Sequence, residues 1–355
     1  MTKFKDVLLA KNIAVGWLYF YIHFITEVVC FYYLTKVTNG SPVVWLIPFL
    51  YDALAFVPQG IIGKVSDKYP KVNIGFIGVA LLFFAIVFQF GLNLNLFLCL
   101  IILTIGNCIM HISGAEDTLR LSNGKLSHPA IFVAGGSFGV VTGKILASSI
   151  IPFWGIALMT LTMIPFLLLA KTYHTEESFK ENACEKFDYA NVKMFPFLVI
   201  VLATLVVIVR GYIGYGIPTA WNKTLIQNII FFFTMGLGKA LGGILTDRFG
   251  IRKVAVTSTL LAIPFLCFGD NLMMVSLIGV MFFSMTMAIT LGIIVSTLKN
   301  NPGVAFGFTT IGLFLGTAPI FFIKITNPVI NIVSIVVSSI ICCLILLLIT
   351  KGKET

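Results

Sequence analysis

The sequence predicts an all-α polytopic membrane protein, with twelve transmembrane helices in two pseudo-symmetric six-helix bundles. Three observations carry this. Of 355 residues, 58% are hydrophobic and only 11% charged, well below the charged quarter usual for a soluble domain, so lipid is the solvent for most of the chain. Twelve apolar runs are long enough, or nearly so, to cross a hydrocarbon core of about 30 Å as helices. A charged turn also recurs. Gly63-Lys64-Val65-Ser66-Asp67-Lys68-Tyr69-Pro70-Lys71 and Gly243-Ile244-Leu245-Thr246-Asp247-Arg248-Phe249-Gly250-Ile251-Arg252-Lys253 each join two apolar runs, and their aspartates lie 180 residues apart. A repeat at half the chain length points to a duplicated bundle.

In chain order the spans are expected near 11–35, 43–63, 72–91, 95–117, 129–150, 152–170, 195–217, 223–245, 253–269, 271–292, 302–324 and 328–350. Turn formers separate them: Asn39-Gly40-Ser41-Pro42, Gly269-Asp270-Asn271, Lys299-Asn300-Asn301-Pro302-Gly303 and Thr326-Asn327-Pro328 break helices through proline or through residues that tolerate left-handed geometry. The charged stretch 171–194 is the one substantial polar segment. It reads as a cytoplasmic tether between an N-terminal bundle, 1–170, and a C-terminal bundle, 195–355.

Lysine and arginine set the orientation. With both termini cytoplasmic, eighteen of them fall in inner segments, including Lys3, Lys5, Lys11, Lys64, Lys71, Lys125, Lys171, Lys253 and Lys353, against Lys36, Lys223 and Lys324 in outer turns. That bias fixes a multi-pass protein of the cell membrane with an even number of crossings. The net charge of +10 sits in short turns that offer no groove, which excludes nucleic acid as a partner. The run after Met1–Lys11 is too long for a cleavable signal core. Seven cysteines without CxxC spacing read as buried packing residues. No phosphate-cradling loop, nucleophile triad or zinc spacing is present, so neither an enzyme nor an ATP-driven pump is expected, and no cofactor or metal centre.

The charged turn carries a resemblance. Gly243, Asp247, Arg248, Gly250, Arg252 and Lys253 fit the pattern G-x-x-x-D-R-x-G-R-R/K-K, with Ile251 as the departure; in the N-terminal copy Gly63, Asp67, Lys68 and Lys71 fit, and Pro70 stands where the glycine would. In these residues, and in its six-plus-six plan with a middle loop, the chain resembles a small member of the major facilitator superfamily. The resemblance implies a secondary transporter working by alternating access, active as a monomer, with Gly63, Asp67, Lys68, Gly243, Asp247, Arg248 and Arg252 gating the inner side. The aspartates would pair with bases or cap neighbouring helix N-termini and so stabilise the outward-facing state.

A second repeat supports the duplication. Pro129 with Gly139 and Gly143, and Pro302 with Gly312 and Gly316, recur at an offset of 173. Such i, i+4 glycines let a neighbouring backbone approach closely. The first row, extended through Gly135, also loosely resembles the glycine-rich fifth helix of family exporters without its central proline, so packing and an antiport signature both stay open.

Function is expected where charge is buried, since an ionisable group at bilayer depth costs roughly 2.5–3.5 kcal/mol on insertion scales. Counting from the inner edge puts Glu27, Lys144 and Arg210 in one layer, each about 24 Å deep, and Asp52 near the midplane. Their charges are balanced enough to cancel in two pairs. His23 and Glu27 are spaced i, i+4 on one face, as are Asn107 and His111. A histidine beside a carboxylate is a plausible proton carrier, so Glu27, His23 and Asp52 are assigned to proton coupling. By the resemblance, the first and fourth helices of each half line the path, which places Asn107, His111, Arg210, Lys144 and Tyr215 as substrate ligands. Arg210, whose fork holds carboxylate or phosphate, favours a small organic anion.

Weaker features remain. Glu116, Asp117 and Arg120 fit a solvated helix end or a gate, and Lys239 fits snorkelling to the inner interface. Met281 and Met285 head a methionine-rich tenth span whose thioethers suit copper(I) or simple gap filling. The expected partners are a small-molecule substrate, protons and the lipid bilayer. Alternative functions are a drug or amphiphile exporter working as a proton antiporter, and a non-transporting membrane sensor on the same scaffold.

Overall fold

The computed structural model describes residues 13–39, 44–323 and 327–352. Lys3, Lys5, Lys11, Lys324 and Lys353, and the turn residues Gly40, Ser41, Pro42 and Thr326, lie outside the described residues. Eleven described helices are long and apolar enough to cross a membrane, and a shorter one, Gly75–Gly91, makes a twelfth. In chain order these are α1 (Ile13–Thr38), α2 (Leu46–Lys68), α3 (Gly75–Gly91), α4 (Leu96–Arg120), α5 (Ser127–Ala147), α6 (Phe153–Lys171), α7 (Pro196–Gly216), α8 (Leu225–Phe249), α9 (Ile251–Phe268), α10 (Met273–Thr297), α11 (Pro302–Phe321) and α12 (Pro328–Ile349).

Local sequence explains where they start and stop. Pro196, Pro302 and Pro328 open α7, α11 and α12, a position whose N–H has no intrahelical partner in any case. Asn95 accepts from the Phe97 and Leu98 amides at the start of α4, and Thr224 forms a capping box with Gln227 at the start of α8, satisfying orphan donors. Pro58 interrupts α2 after Phe56. The two copies of the charged turn differ for a physical reason. Gly250 takes φ +86°, so α9 begins at the next residue, whereas at Pro70 the chain passes through a longer turn before α3.

The C-terminal ends of α2, α4, α8 and α10 run three to five residues beyond the expected apolar limits, to Lys68, Arg120, Phe249 and Thr297. In α2, α4 and α8 charged residues continue the helix, because helical hydrogen bonding does not stop where hydropathy does.

The two glycine rows serve the same purpose. A Cβ on Gly139 or Gly143 of α5 would strike the carbonyls of Phe24 and Val28 on α1, and one on Gly316 of α11 would strike that of Ile208 on α7. The fifth helix of each half thus lies backbone-close on its first. In α8, Gly238 and Gly242 sit against the main chain at Met281 and Met285 of α10, so those methionines are part of a packed helix seam. Between halves, α2 packs along α11 and α5 along α8.

The segment 171–194 carries local structure of its own. Two 3-10 turns, Glu176–Phe179 and Glu181–Cys184, lead to the fully buried Cys184 and Phe187, and Ala190 pairs with Thr350 in an antiparallel bridge. It lies as a strap against the helix ends that carry Asp117 and Asp247, which charge composition alone did not indicate.

Candidate functional site

Four buried polar side chains meet where α1 and α4 cross. Asn107 donates to Glu27 Oε1 at 3.1 Å and to the Tyr51 hydroxyl of α2 at 3.0 Å. His111 Nε2 lies 3.4 Å and His23 Nε2 3.8 Å from the same Glu27 oxygen. The two imidazole rings stand edge to face with centroids 4.5 Å apart. Glu27 is 6% exposed and each histidine 7%, so the group is dry, and it stays polar because every member faces another. The two i, i+4 pairs therefore converge, which spacing within either helix does not reveal.

From the other half, Lys239 of α8 is within electrostatic reach of Glu27, His23 and His111. Its side chain is half-buried. Asp52 lies within electrostatic reach of Glu27 and of Tyr215 on α7. No hydrogen bond or ion pair reaches Asp52 from the described residues.

At the end of the bundle away from Asp67 and Asp247, α1, α2, α5 and α8 line a cavity of about 730 Å³, bounded by Phe31, Leu34, Thr38, Lys144, Ser148 and Asn228 among others. Lys144 lies over the rings of Phe31 at 5.5 Å and Phe232 at 5.3 Å, one from each half, in cation–π geometry.

Arg210 is elsewhere. Its guanidinium donates to the Phe283 carbonyl at 3.1 Å and lies 4.9 Å over the Phe283 ring, among Thr259, Thr286, Ser339 and Cys342 inside the C-terminal half. Among the described residues Glu27, Lys144, Arg210 and Asp52 form no ion pair with one another. The expected cancellation in two pairs is not the arrangement found, because the charges face different spaces.

At the opposite end the halves are joined reciprocally. Asp67 of α2 accepts from the Gly303 and Val304 amides that begin α11, both at 3.0 Å. Asp247 of α8 accepts from the Leu126 and Ser127 amides that begin α5, at 2.7 and 2.9 Å. A carboxylate on a helix N-terminus meets orphan N–H donors and the positive end of the helix dipole. Gly63 lies on Gly303, and Gly243 on Leu126 and Ala130, so close that a Cβ would clash. Lys68, Arg248 and Arg252 make no ion pair among the described residues.

Glu116 and Arg120 belong to this inner network. Ser66 donates to Glu116 at 2.7 Å and Arg120 reaches Asp67 at 3.4 Å, with both side chains about 95% buried. Asp117 accepts from Tyr19 and lies 3.2 Å from His174 of the strap. The strap also contributes Tyr189, whose hydroxyl donates to Asp247 at 3.1 Å. Burial and the adjacent Asp247 hold the Tyr189 phenol above its ordinary pKa.

Comparison with solved structures decides the fold. The chain aligns over 96% of its length with 97% of FucP, a Major Facilitator Superfamily transporter in the outward conformation, at TM-score 0.59 and 14% identity. The protein has the major facilitator fold. It aligns similarly with a further structure of the E. coli fucose:proton symporter FucP, at TM-score 0.59, 15% identity and coverage of 95% and 97%. The human organic anion transporter MFSD10 matches at TM-score 0.56 and 12% identity, over 95% of this chain and 98% of that one. No protein-family model and no curated protein matches the sequence.

Proposed function

We propose that this major facilitator protein is a secondary active transporter that moves a small organic anion by alternating access, coupled to protons. Its two bundles, 1–170 and 195–355, would rock about the central site, with both termini cytoplasmic and the monomer as the working unit. The observation that carries the reading is the contrast between the two ends. Two reciprocal carboxylate bonds seal the inner side, while a cavity of about 730 Å³ lies toward the outer side. Alternating access needs such a gate, and a fixed sensor scaffold does not.

The anion assignment rests on Lys144. It holds the one ammonium group on the cavity lining, between two phenyl rings, and so suits a carboxylate carried on an apolar body. The assignment to Arg210 is less well supported, since that guanidinium is already engaged. Proton coupling rests on Asp52, an acid at membrane depth that no described partner neutralises. Such a group needs either a partner or a purpose. Fucose with protons and organic anions are what the similar structures are named for, and they mark the solute classes to test first. The apolar share of the cavity lining, Phe31, Leu34, Val141, Ile145 and Leu225, favours amphiphile export as the second reading.

The test is uptake into proteoliposomes, comparing aromatic and aliphatic carboxylates with lipophilic cations at two external pH values. The expected result is carboxylate uptake stimulated by external acid. Asp52→Asn should lose gradient-driven accumulation and keep exchange, and Lys144→Met should raise the half-saturating concentration. Transport of cations alone, or full gradient-driven uptake in Asp52→Asn, would overturn the reading.

A further inference from the structure

We infer that His23, Glu27 and His111 form a binding site for one divalent transition-metal ion of the Zn²⁺ type, in the wall of the path between the two halves. The inference stands apart from the anion and proton assignments.

It starts from the histidine hydrogens. His23 Nδ1 lies 2.9 Å from the Phe132 carbonyl and His111 Nδ1 3.0 Å from the Asn107 carbonyl. A carbonyl only accepts, so each neutral ring carries its hydrogen on Nδ1 and presents a bare lone pair at Nε2. Both lone pairs converge on Glu27. A metal-bound histidine is held in the same way, its second nitrogen donating to a carbonyl that fixes tautomer and ring plane.

The spacing then separates a metal site from a hydrogen-bonded one. Nε2 to Glu27 Oε1 is 3.4 Å for His111 and 3.8 Å for His23, both beyond the roughly 2.7–3.2 Å of a hydrogen bond between nitrogen and oxygen. A tetrahedral ion with bonds of about 2.0–2.2 Å holds its donors about 3.3–3.6 Å apart, a spacing that His111 meets and His23 slightly exceeds. One donor atom from each of the three residues lies within 4.8 Å of the others. Two lone pairs and a carboxylate oxygen facing one point call for a positive centre between them.

Two further observations agree. Asn107 Oδ1 is buried without a hydrogen-bond partner, although its amide nitrogen binds Glu27, so an orphan acceptor lies beside the cluster. Gly136 leaves room at His23: a Cβ there would stand 2.5 Å from Nε2. Two imidazoles and a carboxylate form a borderline donor set that suits Zn²⁺, Co²⁺, Fe²⁺ or Mn²⁺, whereas Mg²⁺ and Ca²⁺ prefer oxygen alone. Phe306 of α11 stacks on His111 at 6.3 Å between centroids, so withdrawal of α11 from α2 would uncover the cluster on the inner side. Lys239 is the one cation within electrostatic reach of all three ligands, and it opposes occupancy.

The experiment is Co²⁺ titration of the purified full-length protein in detergent, followed by visible absorption and by calorimetric competition with Zn²⁺. One equivalent is expected to bind, with Mg²⁺ unable to displace it. His111→Gln and His23→Gln, which keep bulk and polarity, should each weaken Co²⁺ binding by more than the about 10–100-fold typical of losing an outer partner. Gly136→Ala should weaken it without removing any ligand, and Lys239→Met should tighten it. Thermal unfolding without metal separates these effects from misfolding. Wild-type binding no tighter than that of the His23→Gln/His111→Gln double variant, with both proteins folded, would overturn the inference whatever solute the protein carries.

Discussion

Glu27 and Arg210 each stand on the first helix of a bundle, and each reaches the fourth. Glu27 accepts from the Asn107 side chain, while Arg210 donates to the Phe283 carbonyl. Each side chain bonds within its own half.

Arg210→Lys keeps the charge and loses both the directed bond and the planar stacking on Phe283. Because a hydrogen bond from a charged group is worth about 1.5–3 kcal/mol, thermal unfolding in detergent should show a stability loss of that order. Carboxylate binding at Lys144 should persist. Unchanged stability with lost anion binding would return Arg210 to the substrate path.

Gly63→Ala should prevent the inner side from closing. The added methyl meets the main chain of Gly303, which cannot move aside as a flexible side chain could. Gly60→Ala, three residues earlier, meets only the Ile311 side chain at 3.6 Å and serves as a control. Cysteine accessibility from the cytoplasmic side should rise in the first variant and not in the second. Equal accessibility in both would remove Gly63 from the gate.

Asp247→Asn leaves a neutral amide on two helix N-terminal amides and should favour inward-facing forms by roughly 1–2 kcal/mol, an about 5–30-fold change in population. Tyr189→Phe should give a smaller shift, near 1 kcal/mol. The pH dependence has a definite sign. Tyr189 is an acid whose folded pKa lies above its unfolded value, so its contribution is complete below the ordinary phenol range and fades as pH rises past it. Opening measured from pH 6 to 9 should show no inflection from this phenol, and one that disappears in Tyr189→Phe would contradict the assignment.

Cys184 reports on the strap. Burial pushes its thiol up to about 12, so at neutral pH it is protonated and covered, and a maleimide should label it slowly. In Asp247→Asn labelling should accelerate along with gate opening. A thiol equally reactive in wild type and variant would mean that the strap does not follow the gate.

The fold was legible because its signals are local. Span length, turn residues and the lysine bias each read from a short stretch, and the doubled turn located Asp67 and Asp247 before any helix was placed. Their partners were not legible, since main-chain amides at Gly303 and Ser127 carry no side-chain signature. The central cluster was half legible. His23 with Glu27 and Asn107 with His111 stood out as pairs, but their meeting depends on how α1 crosses α4, and no spacing within a helix encodes that. The electrostatic reach of Lys239 to Glu27 was not legible for a similar reason: a lysine near the end of a span reads as reaching for the interface unless the packing of α8 is known. The bond from Arg210 to the Phe283 carbonyl was not legible either, because counting residues gives height and leaves azimuth undetermined.

Gly63 and Gly303 meet main chain to main chain, with nothing compressible between them. Dispersion contacts of that kind forfeit about a quarter to a half of their strength over the first 0.5–1 Å of separation, and the Asp67 bonds beside them are as short-ranged. In the proposed cycle the joint would work like a bolt in a strike plate, seated or withdrawn, with no half-open setting through which a file of water could carry protons past the cargo.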